Sequence, residues 1–135
     1  MFKLCEKSNS THWVSQFGSN PAGITTTHAR SLEILQLVRR YDLLIIEDDP
    51  YFFLYYGDTP RPASYFSLDR QYPTSLPSSL KKTEPWASGS GRVVRLDSFS
   101  KIVSSGIRLG WVTGPHVVLS ALERHSAVTT VHPSS

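Results

Sequence analysis

Cysteine is nearly absent: Cys5 stands alone among 135 residues, so no disulfide can close within the chain. A reducing, intracellular setting is expected, cytoplasmic in the first instance, with a mitochondrial location left open. No apolar run approaches the roughly 20 residues that span a bilayer, so no transmembrane helix is expected and no membrane partner. The opening Met1-Phe2-Lys3-Leu4-Cys5-Glu6-Lys7 has basic residues but no extended apolar core, and no secretory signal is expected. Metal-ligand spacing is missing too. His12, His28, His116, His125 and His132 form no recurring pattern with one another or with Cys5, and no metal is expected. Nor is there a basic stripe interleaved with aromatics. Arg39-Arg40 and Lys81-Lys82 are the only tight doublets, so the formal charge of +3 reads as solvated surface charge, and nucleic acid is not expected as a partner.

What is there suits a globular domain of ordinary size, with 39% hydrophobic and 19% charged residues. Residues 1–19 are polar, weakly periodic and without a convincing strand or helix. Asn20-Pro21-Ala22-Gly23 is a turn by composition. From Thr27 to Tyr41, Leu32, Leu35 and Val38 recur three apart with Ile34 and Leu37 beside them, the pattern of an amphipathic helix. Arg39 and Arg40 suit the negative pole at its end. Leu43-Leu44-Ile45-Ile46, a continuous apolar run ending in acids, reads as a buried strand of a parallel sheet. Residues 58–91 differ: they hold Pro60, Pro62, Pro73, Pro77 and Pro85, five of the nine prolines, and lack sustained periodicity. They read as a mostly irregular surface insertion. Order returns with strands at Val93–Leu96 and Leu109–Thr113, then a helix from Val117 to about Thr129. Strands separated by helices and loops predict an α/β sheet.

Chemistry concentrates behind the second strand. Ser98-Phe99-Ser100-Lys101-Ile102, with Arg108 beyond, gathers two hydroxyls, a primary amine and a guanidinium. An amine can form a Schiff base with an aldehyde, while hydroxyls and a forked guanidinium hold a phosphate. Pyridoxal 5′-phosphate asks for both together. Asp48 and Asp49 follow the first apolar run, where open α/β sheets bind ligands. On composition alone either acid could serve.

Four segments, Asn20-Pro21-Ala22-Gly23, Glu47-Asp48-Asp49-Pro50-Tyr51, Ser98-Phe99-Ser100-Lys101 and Arg108-Leu109-Gly110, together resemble the fold-type I pyridoxal-phosphate-dependent aminotransferases of class I/II. The stretch from Asn20 to Pro133 is most similar to the branch holding kynurenine/α-aminoadipate and fungal aromatic aminotransferases. Ile45 to Leu54 and Asp97 to Gly106 carry that closer match. The resemblance implies a partial large, cofactor-binding domain over 20–135, a mainly parallel sheet flanked by helices and incomplete, behind a divergent segment over 1–19. It implies Lys101 as the Schiff-base lysine and proton shuttle, and Asp48 as partner of the pyridine nitrogen. Tyr51 and Asn20 become ligands of the phenolic oxygen, and Ser98, Ser100 and Arg108 the phosphate grip. Aspartate three residues before tyrosine selects Asp48 over Asp49. Gly23, Gly106 and Gly110 read as backbone geometry, and Trp111, Phe52, Phe53, Tyr55 and Tyr56 as packing.

The implied reaction is transamination between an amino acid (aromatic, kynurenine or 2-aminoadipate type) and a 2-oxo acid, in a family whose members are usually homodimers. The family's glycine-rich phosphate loop, ring-stacking aromatic and carboxylate-binding arginine have no counterpart here, so the chain reads as a truncated form or fragment. A lyase or decarboxylase of the same fold, and a non-catalytic remnant, are the alternatives.

Overall fold

The computed structural model describes residues 11–58, 60–71 and 91–130. Four strands form one sheet in the order β1 (Thr11–Val14), β2 (Leu44–Asp48), β3 (Val93–Ser98) and β4 (Gly110–Thr113). The first three run parallel, with Val14 opposite Glu47 and Asp48 opposite Leu96. β4 runs antiparallel to β3, Gly110 facing Ser98. That register sets the start of β4 and the ends of the other three strands along one edge.

Helix α1 (His28–Arg40) begins where Thr27 Oγ1 accepts from Arg30 N at 3.3 Å, a cap that satisfies one of the orphan donors of the first turn. It ends at Tyr41 N–H to Leu37 O, after which Asp42 takes φ 56° and Leu43 N–H reaches back to Val38 O. The predicted apolar stripe is the packed one: Leu35 and Val38 are buried, Leu32 and Ile34 partly so, and Leu37 is exposed. They meet Ile45 and Val93 of the sheet.

Two findings differ from the sequence reading. Residues 11–14 form β1 within the segment expected to hold no strand, and Gln16 and Phe17 directly after it are buried. Within 58–91, expected to be irregular, Tyr65–Gln71 forms helix α2, and its Tyr65 and Leu68 complete the core. Residues 72–90 lie outside the described part. Asp69 ties α2 down, binding Arg39 at 2.7 Å and accepting the Arg92 backbone N–H. The last helix, α3 (His116–Thr129), buries no residue. Trp13, Trp111 and Val112 on the outer strands are exposed, as expected of a sheet with too few layers to cover both faces.

Candidate active site

All seven residues singled out in the sequence belong to segments at the one strand-end edge. Asp48 closes β2 and Ser98 closes β3 on neighbouring parallel strands. Asn20 lies in the loop leaving β1, and Arg108 stands two residues before β4. Side chains alternate across a strand, so Asp48 projects opposite to Ile45 and Glu47, which face the helices. It is half-buried, and burial raises its pKa.

Ser98 starts a 3-10 turn, Phe99–Lys101, by accepting Ser100 N–H on its hydroxyl at 3.1 Å. The capping hydroxyl is thus that of Ser98. Backbone N–H groups of Ile102, Val103 and Ser104 all converge on the Phe99 carbonyl, which cinches the turn. Lys101 is exposed at its end, with Nζ 5.6 Å from the centroid of the Tyr51 ring. Tyr51 is held in a turn by Leu54 N–H to its carbonyl at 2.8 Å.

Arg108 adopts φ 54°, a left-handed conformation that costs a non-glycine residue about 1 kcal/mol. Phe99 N–H bonds to Leu109 O at 3.1 Å and holds this segment against the lysine turn. Glycine at 110 has a steric reason: a Cβ there would sit 2.5 Å from the Asp97 carbonyl oxygen. Asn20 is exposed, joined to Pro21 by a cis bond, in a loop closed by Ser19 N–H to Ile24 O at 3.1 Å with Gly23 at φ 67°. Among the described residues, Lys101 and Tyr51 are the pair of these side chains in recorded contact. Among the described residues, no side-chain hydrogen bond or ion pair involves Asn20 or Arg108.

The sequence reading passed over a charged cluster on the covered face. Glu47, Asp49, Arg95 and Asp97 are all buried. Arg95, opposite Glu47 in register, grips Asp97 with both arms of its fork, Nε at 2.9 Å and Nη2 at 2.7 Å. Its Nη1 lies 3.7 Å from Glu47 and 3.9 Å from Asp49 and makes no hydrogen bond. Burial alone would lower the pKa of Arg95, but the Asp97 hydrogen bond and the charges of Glu47, Asp97 and Asp49 outweigh it and raise it. Glu47 accepts from Tyr65 N–H at 2.8 Å and Phe66 N–H at 3.1 Å, capping α2. Burial still raises its pKa against those bonds. The signal that could have found this cluster is alternation. Of three consecutive acids, two must share the face opposite Asp48, and Arg95 and Asp97 repeat at the same spacing.

Asp49 is the unmatched member. Both its carboxyl oxygens are buried without a hydrogen-bond partner, and desolvation pushes its pKa up to about 7, with Arg95 opposing. The folded state therefore binds a proton that the unfolded chain has released, and stability falls as pH rises from the ordinary carboxylate range toward 7. Asp49→Asn removes this burden. It is expected to gain about 1–3 kcal/mol over the wild type at pH 8 and little at pH 4, the burial of an extra amide offsetting part of the gain. Urea unfolding at the two pH values checks this. A variant no more stabilised at pH 8 than at pH 4 would contradict it.

An open α/β sheet with an amine, a carboxylate, a phenol, hydroxyls and a guanidinium along one strand-end edge has the architecture of a ligand-binding α/β domain. The model of the family "Aminotransferase class I and II" matches residues 17–135, and the chain belongs to that family. It is 40% identical over 118 residues to the mitochondrial kynurenine/α-aminoadipate aminotransferase of Bos taurus, which covers 87% of this chain and 23% of that one. It is 36% identical over 121 residues to an aromatic amino acid aminotransferase of Schizosaccharomyces pombe, covering 87% and 25%. Among solved structures, the kynurenine aminotransferase of Pyrococcus horikoshii, in complex with PMP and kynurenine, superposes with TM-score 0.72 at 29% identity, covering 91% of this chain and 26% of that one. The α-aminoadipate aminotransferase of Thermus thermophilus, complexed with N-(5′-phosphopyridoxyl)-L-leucine, gives 0.71 at 28%, covering 90% and 27%. The fold is thus part of a fold-type I aminotransferase large domain. The chain spans about a quarter of the length of these relatives. Among the described residues, no helix is long and apolar enough to cross a membrane.

Proposed function

We propose that this chain carries the cofactor-holding half of a pyridoxal-phosphate-dependent aminotransferase, acting between an amino acid of the aromatic, kynurenine or 2-aminoadipate type and a 2-oxo acid. The observation that carries the reading is the exposed Lys101 amine beside the Tyr51 ring, on a turn begun by Ser98, which stands two residues beyond Leu96, the partner of Asp48 across the sheet. The donor set fits the group: an amine for its aldehyde, hydroxyls and a guanidinium for its phosphate, and a carboxylate for its ring nitrogen. When bound, pyridoxal phosphate supplies an electron sink for the bond broken at the substrate α-carbon.

The chain's own residues would divide the remaining work. Lys101 Nζ would hold the cofactor covalently and then carry the proton from and to the substrate α-carbon. Arg108, Ser98 and Ser100 would bind the phosphate, the Arg fork fixing its orientation. Asp48, half-buried, would hold a proton on the ring nitrogen by charge. The Tyr51 hydroxyl and the Asn20 amide would orient the phenolic oxygen. Homodimeric assembly and an intracellular, cytoplasmic location are part of the same proposal, the first from the family and the second from the single cysteine.

The test is direct. The purified chain is mixed with pyridoxal 5′-phosphate, reduced with borohydride and mapped by mass spectrometry. One phosphopyridoxyl adduct per chain, on Lys101, is expected, with labelling at least about tenfold weaker in Arg108→Lys because the lost fork is worth ~1.4 kcal/mol or more. Labelling spread over several lysines would sink the reading.

A further inference from the structure

We propose that Arg95 and Asp49 are positioning residues: from the helix-covered face of the sheet they fix the corner from Asp48 to Leu54, which presents Tyr51 beside Lys101 and carries Asp48 at its start. The connection runs through Phe52. The Arg95 guanidinium lies 4.0 Å from the centre of the Phe52 ring, and that of Arg61 lies 3.4 Å from it. Arg61 also donates to the Phe52 carbonyl at 2.7 Å. Phe52 in turn sends its N–H to the Asp49 carbonyl at 3.2 Å, while Asp49 N–H reaches Leu96 O on β3 at 3.3 Å. Any shift of Arg95 is therefore felt at the residue next to Tyr51.

Asp49 decides where Arg95 rests. The groups facing it are Glu47 of β2, Arg95 and Asp97 of β3, Arg61 of the segment before α2, and, beyond Glu47, Tyr65 of α2. With Asp49 neutral, Glu47 and Asp97 balance Arg95 and Arg61. With Asp49 ionised, one negative charge is in excess, and Arg95 Nη1, now 3.9 Å away and without a hydrogen bond, is drawn toward the carboxylate. That movement competes with its cation–π contact to Phe52. Burial places this proton exchange at a pH of about 7. The coupling is a property of the fold and needs no cofactor; its consequence for catalysis rests on the function proposed above.

The test is a pH titration of the 15N-labelled full chain by NMR. Amide peaks of Tyr51 and Phe52 are expected to move together with a midpoint of about 7. Asp49→Asn should freeze them near their low-pH positions, while Asp48→Asn should leave the titration in place. As a second probe, Arg95→Lys keeps the charge but loses the fork. Amide exchange at Phe52 and Leu54 should then rise about tenfold with α1 protection unchanged. Peaks that do not titrate in the wild type, a titration that survives Asp49→Asn, or unchanged exchange in Arg95→Lys each overturn the proposal. Borohydride trapping on Lys101 reads the cofactor assignment separately, so either can fail without the other.

Discussion

Arg95→Ala is expected to cost about 3–5 kcal/mol of folding stability, because it strips the counter-charge from a buried acidic group without removing the acids. Arg95 is 7% exposed, and the three carboxylates around it are each 8% exposed or less. Asp97 would lose both arms of a bidentate pair, and Glu47 its nearest cation. The remaining way to relieve these buried acids is to protonate them, and burial already raises the pKa of Glu47 and Asp49, so the loss should shrink as pH falls from 7 toward the usual carboxylate range. A double change, Arg95→Met with Asp97→Leu, removes a charge of each sign and keeps the volume. It is expected to be less harmful than Arg95→Ala alone. Denaturant unfolding at pH 7 and pH 4 measures all of this. A loss below about 1 kcal/mol at pH 7 would mean that water reaches the cluster and that the arginine is not its counter-charge.

The elements that could be read from sequence are those whose pattern is long or uninterrupted. α1 shows thirteen residues with an apolar stripe, a threonine cap and basic residues at its end. The runs at Leu44–Ile46 and Val93–Val94 carry their strands unaided, and the candidate residues Asp48, Tyr51, Ser98, Ser100 and Lys101 could be picked out because they closely follow those runs. What escaped is what tertiary structure supplies. Thr11–Val14 is four residues of mixed polarity that become a strand by pairing with β2, which no local signal announces. α2 has seven residues, too few to be helical alone, and is started by the Glu47 carboxylate from eighteen positions away. The charged cluster escaped because acids after a strand suggest an exposed loop. Only the alternation of Glu47, Asp48 and Asp49 reveals that two of them turn inward, and Asp49, weighed as a rival ligand, is 1% exposed on the face away from Asp48.

Tyr65→Ala is expected to cost about 3–5 kcal/mol, the range for emptying a buried aromatic site. Tyr65 is 1% exposed, the largest fully buried side chain, and packs with Leu35, Val38, Ile45, Leu68 and Val93. Burial raises the pKa of its phenol, against the pull of the Ser31 hydroxyl, so the ring is held by both packing and a polar contact. Tyr65→Phe keeps the packing and should cost only about 1 kcal/mol, the net worth of one hydrogen bond. Alanine would do more than leave a cavity. It loosens α2 against the sheet, and the Tyr65 and Phe66 N–H groups that hold Glu47 move with it, so the core and the charged cluster weaken together. Thermal unfolding of the two variants separates the contributions. If Tyr65→Ala cost no more than about 0.5 kcal/mol, the value for a surface change, residues 65–71 would be the superficial insertion that the proline-rich sequence suggests. A loss in the core range instead makes α2 the element through which the hydrophobic core supports the strand end that carries Asp48.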